Sequence, residues 1–166
     1  MKPTVGSVGM GVAEAKNSMS HVINESVSKV LIINEKHEAL ILTVGEYKER
    51  PDKSFKPDLP GGLVDPGETE LIAVQREAVE ETGIDIGFDS FRLAYTKTEF
   101  YPAENKSVSK FLYLAYLDYT PEVTISWEHS SYEWIPLENI TDNVEFRPFY
   151  KEAIDYCFTA GLIADL

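Results

Sequence analysis

Downstream of a Pro-Gly-Gly turn at residues 60–62, the chain gathers Glu68, Glu77, Glu80 and Glu81 around one basic residue, Arg76. Unit charges about 4 Å apart near a protein surface repel by up to roughly 4 kcal/mol, so water must spread them out or a cation must compensate them. At about 100° per residue Glu77, Glu80 and Glu81 share one helical arc, next to an apolar stripe of Leu71, Val74 and Ala78. A solvated helix face is the common use of such glutamates. One arginine, however, cannot build the ladder of opposite charges that supports a purely structural acidic surface. The glycines let backbone approach a ligand closely. Hard divalent cations take carboxylate and carbonyl oxygens and bridge them to substrate phosphates, which makes phosphate chemistry the natural use of this stretch.

The segment resembles the Nudix box, G-x5-E-x7-R-E-U-x-E-E-x-G-U with U apolar. Every position fits, from Gly62 through Glu68, Arg76, Glu77, Ala78, Glu80, Glu81 and Gly83 to Ile84. The resemblance implies an α/β (α+β) Nudix fold, a mixed β-sheet sandwiched between α-helices. It also implies Mg2+- or Mn2+-dependent hydrolysis of a nucleoside diphosphate linked to another group, with a small nucleotide as substrate. By position, Glu80 and Glu81 would be the main metal ligands, Glu77 a further ligand or the base, and Gly61 a carbonyl ligand. Arg76 would orient the carboxylates, and Glu68 would support the cluster. Farther on, Glu128 stands six residues before Trp134 and resembles a glutamate of MutT-type members that approaches the metals as ligand or base. The adjacent His129 reads as an ordinary surface or hydrogen-bonding histidine. A non-catalytic sensor and an RNA 5'-pyrophosphohydrolase are other uses of the same fold. The intact glutamate set argues against the first and the acidic charge against the second.

Substrate contacts are sought in the loop before the box, where Lys48, Arg50, Lys53 and Lys56 supply positive charge in an acidic chain. Phe100 or Tyr101 could stack on a base, although strand aromatics more often serve the core. Tyr101 and Pro102 lie eighteen and nineteen residues after Gly83. They resemble residues of dinucleoside-polyphosphate and ADP-ribose members respectively and leave both substrates open.

The elements that must position these residues follow from periodicity. Residues 28–44 read as a β-hairpin, 45–62 as a long loop too broken by Pro and Gly for regular structure, and 69–82 as a helix stopped by Gly83. Strands are expected at 90–101, 110–119, 123–127 and 132–137. A second helix follows Pro148, with Tyr150, Ala153, Ile154, Cys157 and Phe158 at helical spacing and Gly161 as its cap.

The 166 residues suit one domain, expected over 21–166, behind an extension at 1–20 read as mobile. No apolar run is long enough to span a bilayer, and no secretory pattern stands at the N-terminus. The single cysteine, Cys157, fits a reducing cytoplasm and a buried helix position. Fifteen basic against twenty-eight acidic residues give a net charge of −13, which repels nucleic acid but tolerates small phosphorylated ligands where a divalent ion inverts the local sign. A homodimer is the assembly the resemblance points to, and residues 1–20 could exchange between its subunits.

Overall fold

The computed structural model describes residues 21–164, so the extension expected at 1–20 lies outside the described residues. Seven strands, Ile23–Ile33 (β1), Glu38–Val44 (β2), Pro57–Asp58 (β3), Gly61–Leu63 (β4), Phe91–Tyr101 (β5), Lys106–Tyr116 (β6) and His129–Pro136 (β7), form one sheet. The helices are Glu70–Thr82 (α1), Leu137–Asn143 (α2) and Pro148–Thr159 (α3). The main strand order is β3-β2-β1-β6-β5, with β4 on β1 and β7 on β2. β1 runs parallel to β6 and all other pairings are antiparallel, so the sheet is mixed.

β1 explains the layering. Its apolar run Val30-Leu31-Ile32-Ile33 is buried throughout, as a strand covered on both faces must be. Val30 and Ile32 pack with Val74 and Ala78 of α1, while Leu31 and Ile33 pack with Leu137 and Ile140 of α2 and Ala153, Ile154 and Cys157 of α3. Burying each Leu or Ile stabilises by about 1.5–3 kcal/mol. Cys157 is fully buried, and burial pushes its thiol up to about 11. No helix among the described residues is long and apolar enough to cross a membrane.

α1 is defined at both ends. The Thr69 side chain accepts from the Ile72 N–H, and Gly83 closes the helix in the left-handed region at φ 72°. Four local expectations change. The 45–62 stretch contains β3 and β4, because pairing with β2 and β1 supplies hydrogen bonds that local propensity does not reveal. Residues 123–127 form no strand. Instead the Thr124 and Ser126 N–H groups donate to the Thr82 and Glu81 carbonyls at the end of α1, at 2.9 and 3.1 Å, and Val123 and Ile125 pack on the core. The last strand starts at His129 rather than Tyr132, and α2 follows it as a third helix whose single short turn pair carries little periodic signal. Phe100 and Tyr101, at the end of β5, are exposed rather than in the core.

Candidate active site

The Pro-Gly-Gly turn, α1 and the residues just before β7 meet at one corner of the sheet. Within α1 the three glutamates are graded by their angular position. Glu80 is 57% exposed at the side chain, Glu77 is 16% exposed, and Glu81, on the edge nearest the sheet, is 4% exposed as a residue. Arg76 organises the outer part. Its guanidinium donates through Nε and Nη2 to both oxygens of Glu68, at 3.1 and 2.6 Å, and through Nη1 to Glu77 at 3.0 Å and Glu80 at 3.3 Å. These carboxylates hold the Arg76 pKa above its ordinary value, Glu68 contributing most. Gly62 makes room for the arrangement: a Cβ there would stand 2.7 Å from the Glu77 carboxylate oxygen.

Glu81 is held from the other side. The Gly61 N–H donates to its Oε2 at 2.8 Å. Burial raises the Glu81 pKa to about 7, although Lys29, that N–H and His129 all favour the ionised form. Gly61 has φ 133°, and a Cβ on it would lie 2.1 Å from the Ser28 carbonyl oxygen, so only glycine fits. Glu128 is brought close through backbone. Ser126, two residues earlier, donates to the Glu81 carbonyl, and the Glu128 carbonyl accepts from the Gly45 N–H at 2.8 Å. Burial and then the charges of Glu128, Asp58 and Glu81 push the Tyr47 hydroxyl up. Among the described residues Glu128 has no ion-pair partner.

Beneath the turn lies a buried network that sequence reasoning missed. Lys29 of β1 donates from Nζ to the Gly61 carbonyl at 2.7 Å, the Leu59 carbonyl at 3.0 Å and Asp58 Oδ1 at 3.2 Å. Asp58 also accepts from the Tyr150 hydroxyl at 2.7 Å, Arg147 Nη2 at 3.2 Å and His129 Nε2 at 3.1 Å. Burial alone would neutralise both Lys29 and Asp58. Their mutual attraction, helped by these donors, instead holds Lys29 above and Asp58 below the ordinary values. Of the two readings of His129, surface or hydrogen-bonding, the structure shows the second: it is buried and bonded to Asp58. A lone lysine opening the apolar run of β1 was the signal available for this network, and Asp58 between two prolines gave none.

The remaining sequence-derived residues are not drawn into the carboxylates. Arg50 pairs with Asp52 at 3.1 Å, and Lys48 and Lys56 are exposed. Partial burial, then Arg50 and Arg147, push the Lys53 pKa down. The Tyr101 hydroxyl donates to Glu99 at 2.7 Å, beside Lys110, which also pairs with Glu99. Among the described residues no three His, Cys, Asp or Glu side chains form a ready-made ion cage. Arg76 occupies Glu68, Glu77 and Glu80, of which Glu80, held by one 3.3 Å contact, is the freest to turn. Two clefts of about 370 and 340 Å³ lie by α2 and α3 and contain none of these residues.

The NUDIX domain family model matches residues 24–157. Mouse bis(5'-nucleosyl)-tetraphosphatase [asymmetrical] is 35% identical over 89 residues, 53% of this chain and 60% of that protein. The Caenorhabditis elegans protein of the same name is 38% identical over 80 residues, 48% of this chain and 58% of that protein. The chain thus spans about three-fifths of the length of the curated relatives it matches. Among solved structures, the MutT protein from Methanosarcina mazei Go1 superposes with a TM-score of 0.71 at 28% identity, covering 86% of this chain and 98% of that one. A C. elegans Ap4A hydrolase binary complex gives 0.62 at 27% identity, covering 83% and 97%. The NUDIX domain of Shewanella oneidensis NrtR with ADP ribose shares the fold, with a TM-score of 0.65 at 15% identity over 91% of this chain and 99% of that one.

Proposed function

We propose, from the premise that this chain belongs to the Nudix family, that it hydrolyses a phosphoanhydride bond in a nucleoside diphosphate linked to a second moiety, with dinucleoside polyphosphates as the substrate class. The observation carrying this reading is geometric: Glu81 is buried, lies on one helix with Glu77 and Glu80, and is held at 2.8 Å by the N–H of Gly61 in the glycine turn. The donor set suits a small hard divalent ion, Mg2+ or Mn2+. Glu77, Glu80, Glu81 and the Gly61 carbonyl would hold it, with Glu128 at the edge. Such an ion, when bound, neutralises phosphate charge and makes a bound water more acidic.

The chain's own residues supply the rest. Arg76 keeps Glu77 and Glu80 turned toward one another, and Glu81 is fixed by the glycine turn. Glu77 is committed to Arg76, whereas Glu128 has no competing cation, so Glu128 is the better base. Water attacks phosphorus, its proton passes to Glu128, and the anhydride oxygen leaves with the bonding pair as a phosphate. Lys48, Arg50, Lys53 and Lys56 of the loop before β3 supply positive charge for a polyphosphate anion. Phe100 and Tyr101 offer exposed rings for a base. The substrate class is supported by the relatives named bis(5'-nucleosyl)-tetraphosphatase, at 35–38% identity, and by the Ap4A hydrolase complex. The test is a panel of dinucleoside polyphosphates, nucleoside triphosphates, ADP-ribose, NADH, nucleotide sugars and coenzyme A, assayed in Mg2+, Mn2+ and EDTA. Dinucleoside polyphosphates should give the highest kcat/KM. Absence of metal-dependent nucleotide release from every member would defeat the reading.

A further inference from the structure

Lys29 is opposite Gly61 in the antiparallel register of β1 and β4. A Cβ on Gly61 would lie 2.9 Å from the Lys29 Cδ, so the lysine stem runs across the space that the glycine leaves open. Its ammonium has three N–H donors, and the structure supplies three acceptors from one four-residue stretch: Asp58 Oδ1 and the Leu59 and Gly61 carbonyls. Gly61 is thereby clamped at both ends, its carbonyl by Lys29 at 2.7 Å and its N–H by Glu81 at 2.8 Å. The N–H lies in the peptide before the Gly61 Cα and the carbonyl in the peptide after it, so the two contacts pin the two peptide planes on either side of a residue whose own φ is otherwise permissive. Asp58 anchors the ammonium and extends the unit to His129, the residue after Glu128.

We propose that Lys29, held by Asp58, is a positioning residue for the divalent-ion site: it sets the orientation of the Gly61 carbonyl directly and, by fixing the Leu59 and Gly61 carbonyls on either side, holds in place the Gly61 N–H that positions the carboxylate of Glu81. This rests on the reading of Gly61 and Glu81 as ion ligands given above. Residues that orient metal ligands without touching the metal typically change affinity by about 10–100-fold when removed. The effect belongs to ion affinity and kcat, not to nucleotide recognition, because Lys29 is buried beneath the turn and away from solvent.

The experiment compares wild type with Lys29→Met, which keeps the stem and deletes the ammonium, and with Lys29→Met/Asp58→Asn, which removes both buried charges together. Mn2+ binding to the substrate-free protein is read by electron paramagnetic resonance. Thermal unfolding and steady-state kcat and KM at saturating Mn2+ are measured in parallel. The proposal expects Mn2+ affinity to fall about 10–100-fold in Lys29→Met, with a lower kcat and a nearly unchanged nucleotide KM. Unchanged or tighter Mn2+ binding in a folded variant overturns it. If Lys29→Met does not fold, the double variant carries the same comparison, and failure of both to fold identifies Lys29 as scaffold alone and also overturns it. A wild type that binds no Mn2+ defeats the functional reading instead, so the two failures are distinguishable.

Discussion

Glu77, Glu80, Glu81 and Glu128 are chemically alike, yet their surroundings divide the work among them. Glu128, without an ion-pair partner, is the assigned base, so Glu128→Gln should lower kcat by about 10²–10⁴-fold while Mn2+ binding persists. If Glu77→Gln showed that pattern and Glu128→Gln did not, the assignment would reverse. Glu81 also makes a pH prediction. Its folded pKa, about 7, lies above the ordinary 4.5 because burial disfavours the charge. The native state then holds a proton that the unfolded chain releases, so this contribution is present below about pH 4.5 and is lost as pH rises through about 7. In EDTA the unfolding free energy should decline across that window by at most about 1.4 kcal/mol per pH unit. Urea titrations at several pH values should find a shallower decline in Glu81→Gln, and an identical slope in the two proteins would refute the assigned shift.

At the scale of elements, β4 and α1 act as one device. The two glycines of β4 differ in what an added methyl meets. At Gly61 it meets the Ser28 carbonyl oxygen, which belongs to the β1 backbone and cannot yield, at a φ of 133°. At Gly62 it meets only the end of the Glu77 side chain, which can move. Gly61→Ala should therefore fail to fold or melt far below wild type. Gly62→Ala should fold with near-native stability and lose activity, because Glu77 is displaced from Arg76. Circular dichroism melts beside kcat measurements would check both, and a fully active Gly62→Ala would contradict the role given to Glu77. The extended 123–126 segment completes the device by tying the end of α1 to the approach to Glu128.

For the whole molecule, the sheet separates the acidic site from the α2 and α3 layer. Ile140, fully buried in that far layer, should cost about 2–5 kcal/mol on replacement by Ala. Mn2+ affinity should stay within about twofold of wild type, since no contact of Ile140 reaches the carboxylates. A large change in affinity, measured alongside chemical denaturation, would mean that the layers are coupled more tightly than the packing indicates. A polar crossing between them runs from the start of α3, where Tyr150 and Arg147 reach through to Asp58.

Residues 62–84 carried their assignment in their own spacing, because one helix with a capping threonine and a terminal glycine fixes which side chains share a face whatever surrounds it. The continuous apolar run of β1 was legible for the same reason: composition along a strand is local. What only the tertiary structure decided was burial and long-range pairing. Whether Glu81 points into the protein, whether Lys29 finds Asp58 twenty-nine residues away, and whether 123–127 joins a sheet or caps a helix all depend on partners distant in the chain. Local pattern cannot carry that information, since the free energy of a buried charge is set by the donors around it and not by its neighbours in sequence.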